Sequence, residues 1–269
     1  MTGPRALLRA AACSDIGPHR KTNQDAAFTA SWGAAVADGV GGGPAGDFAS
    51  AAFIHRLAAG RLDGLEPVQL ADAVRSANWD LRAHVERDPS LSGMATTFTG
   101  LFAARDGGLL LAHTGDSRAY RLRDGELAQA SRDDSLVQAL VDRGIVSITD
   151  AASHPRRNII TASLSGAERD AATVTAHDAQ AGDRWLLCSD GLTDYVPDDA
   201  IRDLLLEFPH AGTAVEACVA VALEAGSYDN VTVVVCDVVL ATDEIGGAPA
   251  QMAFYGAAAE RFMEGLESA

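Results

Sequence analysis

The chain has 269 residues, of which 48% are hydrophobic and 22% are charged, and its formal net charge is -16. These proportions are those of a globular protein that is long enough for one large domain. The acidic balance argues against nucleic acid and anionic membranes as main partners, and no segment approaches the roughly 18 consecutive apolar residues of a membrane span.

Apolar runs separated by turn residues predict seven strands. In chain order they are Ala26–Ala37, Thr96–Ala104, Leu109–Thr114, Ala119–Arg123, Ala172–Ala176, Arg184–Ser189 and Val231–Leu240. Two short segments rich in Asp and Gly, at 106–108 and 123–125, predict hairpin turns. Strands joined by such tight turns form antiparallel sheets.

Two longer segments, Ala45–Ala59 and Pro67–Asp88, predict helices; the second begins at a proline and ends just before Pro89. Shorter helices are predicted at Ser135–Arg143, Asp198–Glu207 and Thr213–Ala225. The pattern therefore predicts an α+β fold in which helices cover antiparallel sheets. Residues 1–240 form its single domain, and residues 241–269 are an appendage with a helix predicted from about Ala250.

Aspartates recur at predicted strand ends, each beside Gly, Ser or Asn. The segments are Asn23-Gln24-Asp25, Asp38-Gly39, Gly115-Asp116-Ser117, Ser189-Asp190-Gly191 and Asp229-Asn230. One such pair alone is most often a turn or a helix N-cap. A carboxylate at the end of a buried strand is unfavourable unless it is paired or binds a metal. Several together favour hard cations such as Mg²⁺ or Mn²⁺.

The order of these motifs resembles that of the metal-dependent protein phosphatases, the PPM or type 2C family. The matching segments are Arg20-x-x-Asn23-Gln24-Asp25, Asp38-Gly39-Val40-Gly41-Gly42, Ala95-Thr96-Thr97, Gly115-Asp116-Ser117-Arg118, Ser189-Asp190-Gly191-Leu192-x-Asp194 and Asp229-Asn230-Val231-Thr232. The resemblance covers about residues 14–239. It implies a four-layer α-β-β-α sandwich of two antiparallel sheets flanked by helices.

The resemblance also implies a pair of cations in the centre of the site. Asp38 would bridge the two cations, and the carbonyl of Gly39 would bind one of them. Asp190 and Asp229 would complete the coordination of the other. Asp25 would hold cation-bound water from a position behind these ligands.

A third cation would lie between Asp116, Asp190 and Asp194, again as the resemblance implies. Arg20 would bind the substrate phosphate, since a guanidinium group matches phosphate oxygens in shape and charge. The implied function is hydrolysis of phosphoserine and phosphothreonine in proteins by attack of a water that bridges the cations. Two or three Mn²⁺ or Mg²⁺ ions per chain are implied.

The expected partners are phosphorylated proteins that are targets of a Ser/Thr kinase, and the protein is expected to act as a monomer. The four cysteines have no spacing typical of zinc sites or paired thiols. Residues Met1–Cys13 lack the apolar core of a secretory signal. Together these features predict a cytoplasmic protein.

Two positions depart from the family pattern. Val40 stands where some members have a histidine that protonates the leaving group, and Gln24 stands where many have Glu. His113 and His154 are alternative proton donors, although a packed core role is favoured for His113. A catalytically silent binding module is the main competing hypothesis, and a phosphatase dedicated to one partner, such as an anti-sigma antagonist, is a narrower one.

Overall fold

The computed structural model describes residues 5–40, 45–60, 62–151, 154–241 and 252–266, with side chains described as far as residue 261. The strands are β1 Arg5–Asp15, β2 Asp25–Ala30, β3 Gly33–Val40, β4 Ala95–Thr96, β5 Phe98–Ala103, β6 Leu109–Thr114, β7 Arg118–Arg123, β8 Glu126–Gln129, β9 Thr173–His177, β10 Arg184–Cys188, β11 Val231–Ala241 and β12 Ala253–Gly256. The helices are α1 Gly46–Ala58, α2 Pro67–Arg87, α3 Leu136–Asp142, α4 Ile148–Ala151, α5 Asp190–Thr193, α6 Asp198–Glu207, α7 Ala211–Glu224 and α8 Ala257–Leu266, with a 3₁₀ turn at Pro89–Leu91.

The strands form two sheets. One has the order β1-β11-β10-β7-β8, and the other has the order β12-β2-β3-β5-β6-β9, with β4 paired to β3. All strand pairings in the described ranges are antiparallel. At the 123–125 turn, Asp124 and Gly125 both have positive φ, at 53° and 83°, which is the hairpin geometry predicted there.

Three buried clusters define four layers. The first cluster lies between the β2–β3–β5–β6 face and helices α1, α2 and α8. The second lies between the β7–β10–β11 face and helices α6 and α7, and the third lies between the two sheets. Strand β11 contributes side chains to the second and the third cluster. Val233 and Val235 face the helices, whereas Val234 and Cys236 face the other sheet. The predicted four-layer α-β-β-α sandwich is confirmed.

Helix α2 shows how local sequence sets these elements. Glu66 and Gln69 form a capping box at its start, and Pro67 occupies its first turn, where a missing N–H costs no hydrogen bond. Its buried residues Leu70 and Val74 recur at helical spacing against the first cluster.

Three strands were not predicted, namely β1, β8 and β12, and the single strand predicted at Ala26–Ala37 is divided into β2 and β3. Strand β1 contains three consecutive alanines with low strand propensity, yet it pairs with β11 along its whole length. Strand β12 lies in the segment predicted as an appendage, and it forms the edge of the larger sheet beside β2. Helix α8 follows it at Ala257–Leu266. Within the described ranges, the helices are all too short or too polar to cross a membrane.

Candidate metal centre

Strands β2 and β3 place two aspartates side by side. Asp25 and Asp38 are directly opposite each other in the antiparallel register, so their side chains leave the sheet on the same face. The backbone of Asp38 is fixed by Thr97, whose Oγ1 accepts from Asp38 N at 3.0 Å and whose N donates to Asp38 O at 2.8 Å. Thr96 Oγ1 donates to the same carbonyl at 3.0 Å.

These two carboxyls are out of water and close to other acids. Asp25 accepts a hydrogen bond of 2.7 Å from Ser189 Oγ, and burial raises its pKa to about 6. Burial and then the neighbouring Asp25 raise the pKa of Asp38 well above its ordinary value, with smaller contributions from Asp190 and Asp116. Such shifts mark carboxylates that lack a compensating charge.

The junction of β10 and α5 supplies two more aspartates to the site. Asp190 begins α5, and Asp194 N donates to Asp190 O at 2.9 Å, so the two side chains lie one helical turn apart. Gly191 allows this junction to approach β11, because a Cβ there would lie 1.9 Å from Asn230 O. Burial raises the pKa of Asp190 well above its ordinary value, and Asp116 and Asp229 are the next largest causes.

Asp116 follows β6 after a tight turn at Gly115, whose φ is 105°. A Cβ at Gly115 would lie 2.6 Å from Thr97 Cβ, so this glycine brings the Asp116 loop against the segment that fixes Asp38. Burial raises the pKa of Asp116 to about 7, followed by the charges of Asp133 and Asp194. The structure therefore brings the predicted third-site residues near one another.

Asp229 and Arg20 meet at the exposed rim. Arg20 Nη2 donates to Asp229 Oδ2 at 2.6 Å, and Arg20 Nε donates to Tyr228 O at 3.2 Å. The ring of Tyr228 stacks on His19 with centroids 4.2 Å apart. Arg20 thus lies beside a predicted cation ligand, with a side chain that is 45% exposed and accessible to a substrate anion.

The carboxylate oxygens of the predicted ligands show how well the site fits divalent cations. Asp190 Oδ1 is buried and has no hydrogen-bond partner among the described residues, as expected for an oxygen that binds a cation. Within the described ranges, however, no three acidic, His or Cys side chains are close enough to form a complete cation site. Asp229 pairs with Arg20, and Asp194 pairs with Arg157 at 3.2 Å. The oxygen donors fit Mg²⁺ or Mn²⁺, provided that these two aspartates turn from their arginines.

A cavity of about 480 Å³ opens on the acidic cluster. One wall is acidic, with Asp116, Asp190 and Asp194, and another is the flap, which we define as residues 136–151 and 154–160. Arg156 and Arg157 both belong to the flap, and of these two Arg157 lines the cavity. The exposed apolar flap residue Ile148, at 80% exposure, lines it as well.

The two alternative proton donors, His113 and His154, do not line this cavity. His113 is buried in β6, where its Nδ1 bonds Thr99 Oγ1 at 2.9 Å and its Nε2 bonds Arg132 O at 2.9 Å. Burial lowers its pKa, and its packed core role is confirmed. His154 Nδ1 accepts from Arg156 N within its own loop at 3.1 Å. Val40, at the end of β3, brings no titratable group to the site.

The roles of some residues that build the site were not predicted from the sequence. Asn230 Oδ1 accepts from Gln24 N at 2.8 Å, and its Nδ2 donates to Ile16 O and Thr22 O at 2.8 and 3.2 Å. This one amide ties the Arg20 loop to β11. Asp133 also belongs to this group, because it receives two Arg118 nitrogens at 3.0 and 2.7 Å. The cap of α3 is Ser135.

Comparison with known proteins adds to this geometry. The family model described as protein phosphatase 2C matches residues 19–223. The chain is 46% identical over 239 residues to the serine/threonine protein phosphatase PstP of Mycobacterium tuberculosis, which covers 87% of this chain but only 45% of that protein. The chain therefore spans less than half the length of that relative. The serine/threonine phosphatase stp of Listeria monocytogenes is 32% identical over 75% of this chain and 82% of its own length.

Solved structures of phosphatases also superpose on this chain. A crystal structure of M. tuberculosis PstP/Ppp superposes with a TM-score of 0.80 at 45% identity, over 86% of this chain and 98% of that one. The PstP catalytic domain in complex with two manganese ions superposes with a TM-score of 0.79 at 43% identity, over 87% and 99%. The Staphylococcus aureus phosphatase Stp1 gives a TM-score of 0.80 at 29% identity, over 88% and 97%.

Proposed function

The chain belongs to the protein phosphatase 2C family, and on that basis we propose that it hydrolyses phosphoserine and phosphothreonine in proteins with the help of Mn²⁺ or Mg²⁺. The observation that carries this proposal is the convergence of acids from five separate chain segments. Four of them, Asp25, Asp38, Asp116 and Asp190, have pKa values raised by burial and by one another. Unpaired acids gathered in this way favour bound cations over a structural role.

The proposed ligands are those that the sequence predicted. Asp38 and the Gly39 carbonyl, with Asp190 and Asp229, would hold two cations, and Asp25 would orient water behind them. Asp116, Asp190 and Asp194 would hold a third. When bound, the cations would acidify a water molecule and neutralise charge on the phosphoryl group.

The residues of the chain itself set the orientation of the substrate. Arg20 reaches the rim from a loop that Asn230 fixes, so its guanidinium group can bind phosphate oxygens in a forked geometry. Binding of a phosphate by Arg20 would break the ion pair between Arg20 and Asp229, and the Asp229 carboxylate could then bind a cation. Thr97 holds the backbone of Asp38 at both its N–H and its carbonyl, which keeps the ligand in place as charge develops.

The proposed substrates are proteins phosphorylated by a Ser/Thr kinase, and the proposed state is a monomer. The wide cavity, bounded by the flap, has room for a peptide segment and not only for a free phosphate ester. The four cysteines are free thiols, and three are buried, which agrees with the reducing cytoplasm as the proposed compartment.

A metal-dependence assay tests the function. The protein is incubated with phosphoserine, phosphothreonine and phosphotyrosine peptides in Mn²⁺, in Mg²⁺ and in a chelator. Phosphate release from the first two peptides is expected only with a cation. Asp229→Asn should lower the rate by about 100-fold or more, whereas the exposed Asp72→Asn should not change it.

The competing function is a silent binding module. The ion pairs that engage Asp229 and Asp194 favour it, because they show that arginines can satisfy these acids. Absence of turnover at every cation concentration, together with retained binding of the phosphopeptide, would establish that alternative in place of the phosphatase.

A further inference from the structure

The C-terminal segment, residues 252–266, docks against the metal centre from outside. The family match ends at residue 223, well before this segment begins. Strand β12 adds to the edge of the larger sheet, where Gly256 is opposite Ala26 in the register with β2. The pairing thus ends one residue from Asp25. Ala257 and Ala258, at the start of α8, are buried in the helix-facing core.

Gly256 makes the closest approach. Its φ is 60°, and a Cβ added there would lie 2.3 Å from Asp25 O and 2.8 Å from Ser14 Oγ. Any larger residue would therefore have to displace the backbone of Asp25 or leave β2. Ser14 Oγ in turn bonds Thr232 Oγ1 at 2.7 Å and accepts from Asn23 Nδ2 at 2.9 Å. Gly256 is thus in contact with the hydrogen-bonded frame around Asp25.

Helix α8 also holds α1. His55 Nε2 donates to Ala258 O at 2.7 Å, and the His55 ring lies 4.2 Å from the ring of Phe254. At the other end of α1, Arg261 forms an ion pair with Asp47 and lies 5.3 Å from the ring of Phe48. The C-terminal segment therefore contacts both ends of this helix.

The first residue of α1 packs on a proposed ligand. A Cβ on Gly46 would lie 2.8 Å from the Gly39 carbonyl oxygen, and a Cβ on Gly39 would lie 2.2 Å from Gly46 O. A shift of the first turn of α1 would therefore move the Gly39 carbonyl. Asp47, the partner of Arg261, is the next residue of that turn.

We propose that the C-terminal segment is a positioning element of the metal centre, in which Gly256 sets the place of Asp25 and Arg261 sets the place of Gly39 through Asp47. Both residues act through others and neither touches a cation. The inference rests on the proposed function, because it assumes that Asp25 and Gly39 serve bound cations. Residues that orient ligands in this way typically change metal affinity about 10- to 100-fold when they are replaced.

Calorimetric titration of the full chain with Mn²⁺ tests the proposal without an activity readout. Gly256→Ala should weaken Mn²⁺ binding about 10-fold. The matched control is Gly64→Ala, at a φ of 67°, where the nearest atoms are 3.7 Å or more from the added Cβ. It carries the same backbone strain without the contact, so it should lower the melting temperature of the metal-free protein but leave Mn²⁺ affinity unchanged.

A second variant covers the case in which Gly256→Ala does not fold. Arg261→Met keeps a long side chain over Phe48 but removes the ion pair with Asp47, and it should weaken Mn²⁺ binding several-fold. Arg105→Met, which breaks the exposed pair with Glu66, is its control. If wild type binds Mn²⁺ and the folded variants bind it equally well, the positioning role is wrong and the proposed function stands. If wild type binds no Mn²⁺, the proposed function fails, and this inference fails with it.

Discussion

The two halves of the acidic cluster are held by different means. In the sheet half, Asp25 and Asp38 project from paired strands; Ser189 donates to the carboxylate of Asp25, and Thr97 fixes the backbone of Asp38. In the loop half, Asp194 and Asp229 form ion pairs with Arg157 and Arg20, whose side chains are 38% and 45% exposed. The sheet half is rigid and lacks counter-charges, whereas the loop half contains its own.

This difference indicates a division of work. A rigid, buried pair of carboxylates sets cation geometry in advance, at the expense of mutual repulsion. Arginine-paired carboxylates can exchange partners, because an exposed ion pair contributes only about 0–1 kcal/mol. We therefore expect changes in the sheet half to have the largest effect on activity and changes in the loop half to have smaller effects.

The largest effect is expected for Asp38→Asn. The loss of a charged ligand should lower kcat by about 1000-fold, more than the loss of either loop-half acid. The same change removes one of the repelling charges, so the metal-free protein should melt at a higher temperature than wild type. Steady-state kinetics and calorimetry measure the two quantities. Near-normal turnover at saturating Mn²⁺ would contradict the division.

Arg20→Ala should have a smaller effect on activity than Asp38→Asn. The loss of a charge-assisted contact to phosphate should reduce kcat/KM by about 10- to 100-fold, mostly through KM. Arg9→Ala, an exposed arginine on β1, is the control. Unchanged kinetics on a phosphopeptide would show that Arg20 serves only as the partner of Asp229.

Asp194→Ala sharpens the loop-half side of the comparison. The Mn²⁺ concentration for half-maximal activity should rise about 5- to 10-fold and kcat should fall, because one carboxylate of the third site is missing. Two cations should still bind. Identical stoichiometry and identical metal dependence in wild type and variant would exclude a third site here.

Stability should depend on pH in a direction set by the sheet half and Asp116. Unfolded aspartates titrate near pH ~3.9, whereas burial raises the pKa of Asp25 to about 6 and that of Asp116 to about 7. Between these values the folded state binds more protons than the unfolded state, so stability falls as pH rises. The metal-free melting temperature should therefore decrease from pH 5 to pH 8, and saturating Mn²⁺ should remove the decrease. A flat profile would mean that these acids are not crowded.

Val40→His is expected to have the smallest effect. A histidine after the Asp-Gly pair should add a titration to the acidic limb of the pH–rate profile and raise turnover a few-fold for poor leaving groups. If neither the profile nor the rate changes, the position only packs.

The aspartates of the site could be predicted from the sequence, but the contacts that position them could not. The central strands were predictable because β11 is apolar on both faces. Strand β12 was not, because four residues carry too little periodicity and their pairing depends on β2, more than 200 positions away. For the same reason the arginine pairs of Asp194 and Asp229 and the role of Asn230 were missed: no local pattern records a contact between distant segments.

The pairing of β1 with β11 has a consequence for biosynthesis. The first described strand has its hydrogen-bonding partner at residues 231–241, and Asn230 closes the Arg20 loop across 206 positions to Gln24. The five-stranded sheet therefore stays incomplete until the ribosome has passed residue 241, and β1 has an unpaired edge during that time. Such long-range closure slows folding and exposes a strand to aggregation. Nascent chains of this protein are therefore expected to depend on chaperones, and its refolding from denaturant should be limited by the docking of β1.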